Sequence, residues 1–168
     1  EGPSRQEINL PGTRYVLAGR LTSKTSLEPK TITDVSSFNK AAHPDAPAWK
    51  CPKGNWLVIG YTFEESTVEG LPNIMNKDTI RDFINITHDE YAKRMGKHFG
   101  TTIPGVFFDE IGNRGVSIVW VEGFEERFKE MKGYDITRYL PALTHDIGPE
   151  TPKIRCDYYD VYTDLYTD

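Results

Sequence analysis

The stretch Ile103-Pro104-Gly105-Val106-Phe107-Phe108-Asp109-Glu110 constrains the fold more than any other part of this 168-residue chain. A Pro-Gly turn signal opens a short apolar run, and the run stops on two carboxylates. Apolar runs of about four to eight residues bounded by Gly and Pro read as buried strands. In parallel α/β sheets and barrels, ligands gather at the carboxyl ends of such strands. Asp109 and Glu110 are therefore expected at a mouth rather than in a core. The plainer reading, a solvated Asp-Glu loop, stands beside it.

The residues before this stretch predict a long helix. Asn76 is placed to cap it, and Asp78 in the first turn suits the helix dipole. Ile80, Phe83, Ile84, Thr87, Tyr91, Met95 and Phe99 follow with the three-and-four spacing of one buried face. Lys93, Arg94, Lys97 and His98 crowd the last turns, and Gly100 is a stop signal. Helix, tight loop and buried strand make half of a βαβ unit, which predicts a parallel sheet.

Flanking segments read less uniformly. Tyr15–Leu21 and Trp56–Phe63 are expected strands, the second entered through the turn Pro52-Lys53-Gly54-Asn55. Residues 22–50 read as loop with one edge strand at Thr31–Val35. After Glu110, a Gly-rich loop leads into an apolar run at Val116–Val121. A short helix with Phe124, Phe128 and Met131 inward is expected to stop at Gly133. Asp135 can cap another short helix ending near Pro141. Thr151-Pro152 opens the last helix in cap-then-Pro order, with Ile154, Tyr158, Val161 and Leu165 as its apolar stripe. The sequence stops in mid-pattern at Asp168, as a truncated architecture would.

Composition excludes several classes. At 38% hydrophobic and 27% charged the chain is globular rather than disordered. A formal net charge of -5 argues against a dedicated nucleic-acid surface, which needs clustered Lys and Arg. No run is long enough for a membrane helix, and no signal-peptide pattern opens the chain. Cys51 and Cys156 have no neighbouring Cys or His at metal-ligand spacing, so no metal site is expected from them. Two buried thiols are the expected state, with a single disulfide the alternative in a secreted protein.

The chemistry these residues could support is that of a glycosidase, which needs one protonated carboxyl group and one ionised partner. Neighbouring residues on a strand point to opposite faces, so Asp109 and Glu110 are not expected to form the pair together. One would be the acid, and the other would hold the scaffold. Glu122, which ends a second apolar run, is the nearest local candidate for the partner. Trp120 and Tyr134, with Phe107 and Phe108, offer faces on which sugar rings stack, although core packing is the better reading for the two phenylalanines. His88 has no metal partner four residues on, because position 92 is Ala, and a structural hydrogen bond is expected of it. There is neither a Gly-x-Ser-x-Gly elbow nor a phosphate-binding loop. Asp157, Asp160, Asp164 and Asp168 are expected to form a solvated helix face.

Several phrases resemble one enzyme group in collinear order. They are Pro52-Lys53-Gly54-Asn55-Trp56, Asn76–Ile84 running into Thr87–Tyr91, and Phe99-Gly100 before Ile103–Glu110. Trp120-Val121-Glu122, Gly133-Tyr134-Asp135, Tyr139–Leu143 and Arg155–Asp160 complete the set. Together they resemble the α-L-rhamnosidase-related glycoside hydrolases of family 106. The resemblance implies an α/β fold in which residues 71–168 form part of a (β/α)8 TIM-type barrel and residues 1–70 form a β-rich lead-in. It implies cleavage of glycosidic bonds in polysaccharide, with Glu110 as general acid, Asp109 beside it and Glu122 near the sugar. Trp120, Tyr134 and His88 are the expected substrate-binding residues. It further implies calcium assisting sugar binding in some members, and a secreted or periplasmic setting.

Ile111 stands where the family commonly has Pro. A (β/α)8 barrel typically needs about 250 residues, so the expectation is a piece of a larger enzyme, a different fold, or copies that associate through open sheet edges. The rival expectation is a non-catalytic carbohydrate-binding or assembly protein derived from such a barrel. Neither nucleic acid nor membrane is an expected partner.

Overall fold

A computed structural model describes residues 4–64, 74–107 and 118–167. The chain divides into two units: residues 1–64 with 122–163, and residues 65–121 with 164–168.

In the first unit the strands are β1 (Ser4–Gln6), β2 (Tyr15–Arg20), β3 (Thr33–Asp34), β4 (Trp49–Cys51) and β5 (Trp56–Tyr61). They form two small antiparallel sheets, β1-β4 and β3-β2-β5. β2 is central in the second sheet and covered on both faces, which is why its sequence is almost continuously apolar. Val16 and Ala18 share a core with Ile8, Val35, Trp49 and Cys51. Behind the sheet, Leu57 and Ile59 of β5 meet a second core of Leu27, Ala142, Ile147 and Ile154. Full burial of such a side chain is worth about 1.5–3 kcal/mol, so these two layers hold the unit together.

The helical half of this unit packs through aromatic rings. α3 (Phe124–Lys132) and α4 (Thr151–Thr167) are joined by a 3-10 helix, Ile136–Leu143. Phe124 and Phe128 lie four apart on α3 and are buried, as helical spacing requires. Tyr158 of α4 meets Phe124 with ring centroids 5.2 Å apart. Gly133 stops α3 in the left-handed conformation, φ 77°, which only Gly adopts without strain. Asp135 caps the 3-10 helix by accepting from the Thr137 amide. Met131, expected inward, is exposed.

One buried amide ties the lead-in together. Asn39 is 2% exposed. Its Oδ1 accepts from the Leu10 amide at 2.9 Å and the Ala41 amide at 3.3 Å. Its Nδ2 donates to Leu10 O at 2.9 Å and Thr13 Oγ1 at 3.0 Å. Every polar group of the side chain is thereby satisfied, as burial demands.

The second unit carries α1 (Lys77–Ile86), α2 (His88–Met95) and a 3-10 turn, Gly96–His98. Asn76 Oδ1 accepts from the amides of Asp78 and Thr79, the expected cap. The single long helix is instead interrupted at Thr87, where φ is -105° and ψ is -75°. Thr87 Oγ1 donates back to Phe83 O at 2.5 Å and meets His88 Nδ1 at 2.8 Å, a side-chain competition that bends helices. The expected face is not fully buried among the described residues: Tyr91 is 61% exposed, Phe99 47% and Met95 43%.

The partial (β/α)8 barrel is overturned. All three described strand pairs are antiparallel, whereas a barrel of that kind needs parallel strands alternating with helices. The connection from β2 to β5 contains short 3-10 turns and small strands but no α-helix. Within the expected strand at 103–108, Ile103 makes one isolated bridge to Phe99. Val106 is 72% exposed and Phe107 86%, so the core reading of Phe107 fails. Residues 118–121 likewise form no strand. An apolar run becomes a strand only where a neighbouring strand supplies a ladder of hydrogen bonds, and no described strand pairs with these residues. Cys51 is buried, but Cys156 is exposed, and both thiols are free.

Candidate functional site

Asp109 and Glu110 lie outside the described residues, as does Phe108. Glu122 is exposed in the turn that enters α3 through Gly123. Tyr134 follows the Gly133 stop at the far end of the same helix. Nine helical residues at 1.5 Å each put about 13 Å between those ends, so the fold does not bring Glu122 and Tyr134 together. Trp120 and His88 belong to the second unit. Trp120 is half-buried on irregular backbone. His88 is half-buried, with its ring 5.7 Å from that of Phe83.

Tyr134 sits in a built polar cluster. Its hydroxyl donates to Asp157 Oδ2 at 2.8 Å. Its ring meets Phe128 edge-on at 5.0 Å and Tyr139 at 5.4 Å. Lys153 Nζ stands 4.7 Å from the ring centroid, a cation–π contact. The same Lys153 reaches Asp157 Oδ2 at 2.5 Å, and Lys132 lies 3.6 Å from Asp157 Oδ1 and 2.6 Å from Asp160. Burial, then the Asp157 carboxylate, pushes the Tyr134 hydroxyl well above its ordinary range. Burial raises Asp157, but the hydrogen bonds from Lys153 and Tyr134 outweigh it and hold the carboxyl below its ordinary value. On the helix face expected to be solvated, Asp157 is therefore half-buried and fully engaged.

A second carboxylate is held by the sheet. Tyr15 donates to Glu125 Oε2 at 2.7 Å, and Arg14 Nη2 lies 3.0 Å from Glu125 Oε1. Burial and then Glu125 push the Tyr15 hydroxyl up to about 12. Both clusters are closed by side chains of the chain itself, which makes them fastenings rather than open chemistry.

One open concavity among the described residues lies elsewhere, and sequence reading missed it. A cleft of about 630 Å³ runs between the two sheets of the first unit. Ser4 and the run Gln6–Leu10 line it with Trp49 and Cys51 of β4 and Trp56 and Val58 of β5.

Among the described residues no group of three His, Cys, Asp or Glu side chains could hold a metal ion. They do not fit the calcium implied for some relatives, and no step here is routed through a metal. No described helix is long and apolar enough to cross a membrane.

Comparison with known proteins bears on what the site belongs to. A relative from Formosa agariphila with a provisional beta-glucuronidase name is 25% identical over 132 residues, 70% of this chain. The chain spans 11% of that relative's length. No solved structure matches the chain. The glycoside hydrolase family 106 model, described as alpha-L-rhamnosidase, matches residues 12–153. That match covers most of the sequence, both sheets' principal strands and the Ile103–Glu110 stretch, and the chain belongs to glycoside hydrolase family 106, the alpha-L-rhamnosidase family.

Proposed function

We propose that this chain is a portion of a glycoside hydrolase that cleaves glycosidic bonds in polysaccharide, α-L-rhamnosides foremost. The family match over residues 12–153 is the observation that carries this reading. Within it, Glu110 is the general acid that protonates the departing oxygen, and Asp109 is its neighbour. Glu122 is the proposed second carboxylate, and Trp120, Tyr134 and His88 are each proposed to contact substrate, without forming one described cluster. Glu122 has the solvent access that a second carboxylate needs. Tyr134 acts through position: Asp157 and Lys153 fix its ring, and a fixed ring costs less entropy to bind against.

General acid catalysis contributes about 10²–10⁴ in rate. Replacing Glu110 by Gln in the intact protein, assayed on an aryl α-L-rhamnoside, is expected to lose activity by about that factor. Near-wild-type turnover would remove Glu110 from the mechanism.

A further inference from the structure

We infer that the cleft between the two sheets of the first unit binds a neutral saccharide, separately from the Asp109-Glu110 chemistry. The choice of ligand class rests on the chain's family. The location and the preference for a neutral ligand rest on the cleft itself.

The cleft changes character with depth. Ile8, Trp49 and Cys51 at its floor are buried, at 5%, 7% and 8% exposure. Ser4, Gln6, Asn9 and Asn55 on its rim are exposed. An indole-lined floor beneath amides and a hydroxyl suits a pyranose, whose C–H face is apolar and whose rim carries hydroxyl groups. Trp49 and Trp56 meet at 81° with centroids 5.5 Å apart, so the floor is a corner rather than a flat plate.

Charge narrows the ligand. Among the described residues Glu7 is the one charged residue lining the cleft, and Lys40 already holds it at 2.6 Å. Arg5 and Lys50 pair across β1 and β4 at the alternate register position, which places them on the opposite face of that sheet. An ionic ligand would be desolvated without a free counter-charge among the lining residues, which is costly. A polyol meets donors and acceptors on the amides instead.

One further group stands ready at this wall. Trp56 Nε1 is buried with no hydrogen-bond partner among the described residues. It lies 3.9 Å from where a Cβ on Gly54, a lining residue, would stand. An orphaned donor costs free energy that a ligand oxygen at this turn would recover.

The test is an NMR titration of the isotope-labelled 168-residue chain with methyl α-L-rhamnopyranoside, maltose, cellobiose and glucuronate. The account expects at least one neutral sugar to shift the Trp56 indole and the Asn55 and Gln6 amides saturably. Removing one rim hydrogen bond by Gln6→Ala or Asn55→Ala should weaken that binding about fivefold, and the unperturbed remainder of the spectrum reports that these exposed substitutions leave the fold intact. Glu110→Gln should leave it unchanged, so loss of the catalytic assignment would not touch this one. Silence at the cleft with every neutral sugar overturns the inference, as does indifference to both rim variants. Tighter binding of glucuronate than of any neutral sugar overturns the ligand class. Concentration-dependent cleft shifts without sugar would assign it to a second copy of the chain instead.

Discussion

The Tyr134 hydroxyl donates to Asp157 Oδ2 across 2.8 Å, fastening the turn after α3 to the middle of α4. The two residues are 23 apart in sequence, and the Phe124, Phe128 and Tyr158 rings pack in the same helical half of the unit. Tyr134→Phe keeps the ring and deletes only this bond, leaving Asp157 with Lys153 and Lys132. The expected cost is about 1.5–3 kcal/mol, as for a hydrogen bond to a charged group. Urea unfolding measures it, and an unchanged midpoint would show that the fastening contributes nothing.

Asp157 also makes stability depend on acid. Its carboxyl is held below the ordinary value in the fold, so its contribution is present above the unfolded-state pKa of about 3.9. It is lost as pH falls through the lower folded-state value. The stability gap between wild type and Asp157→Asn should therefore be widest near neutrality and should close in acid. A gap that widens as pH falls would reverse the assigned sign.

Tyr15 makes the opposite prediction at high pH. Its hydroxyl is raised to about 12 in the fold, against about 10 when unfolded. The stabilisation is complete below the lower value and disappears as pH rises through the upper one. Ultraviolet titration should show Tyr15 ionising late in the native chain, as Tyr61 and Tyr134 also do, and Tyr15→Phe should reduce the late amplitude by one tyrosine.

Asn39 is the most exposed to loss among buried polar groups, because four hydrogen bonds converge on one amide. Asn39→Ala strands the Leu10 backbone, and about 3 kcal/mol of destabilisation is expected. Gly60→Ala should also destabilise, by about 1–3 kcal/mol. Its new Cβ would fall 2.6 Å from Thr13 Cγ2 and 3.2 Å from Leu10 Cδ1. Thermal melts of the two variants check both figures.

What could be read from sequence was whatever depends on neighbours along the chain. β2, β5, the Asn76 cap, the Phe124–Phe128 face and the Thr151 helix all follow from local alternation, caps and helical spacing. What failed depends on partners distant in sequence. Val106 and Phe107 have strand-like composition, yet no strand pairs with them among the described residues. β1 and β4 are three residues each, too short for periodicity to register, and they exist because Ser4–Gln6 pairs with Trp49–Cys51. The break at Thr87 carries neither Gly nor Pro, and arises from a hydroxyl turning back onto Phe83. The cleft was invisible for the same reason as β1, since its walls come from three strands.

Family membership points to Glu110, and general acid catalysis has a direct kinetic signature. Glu110→Ala in the intact protein should be compared on two α-L-rhamnosides, one with an activated phenol and one with a poor alcohol leaving group. An activated leaving group departs without a proton, whereas a poor one needs the acid. The account predicts a loss of about 10²–10⁴ on the poor leaving group and a far smaller loss on the activated one. Equal losses on both, or no loss on either, would contradict the assignment of Glu110 as the acid.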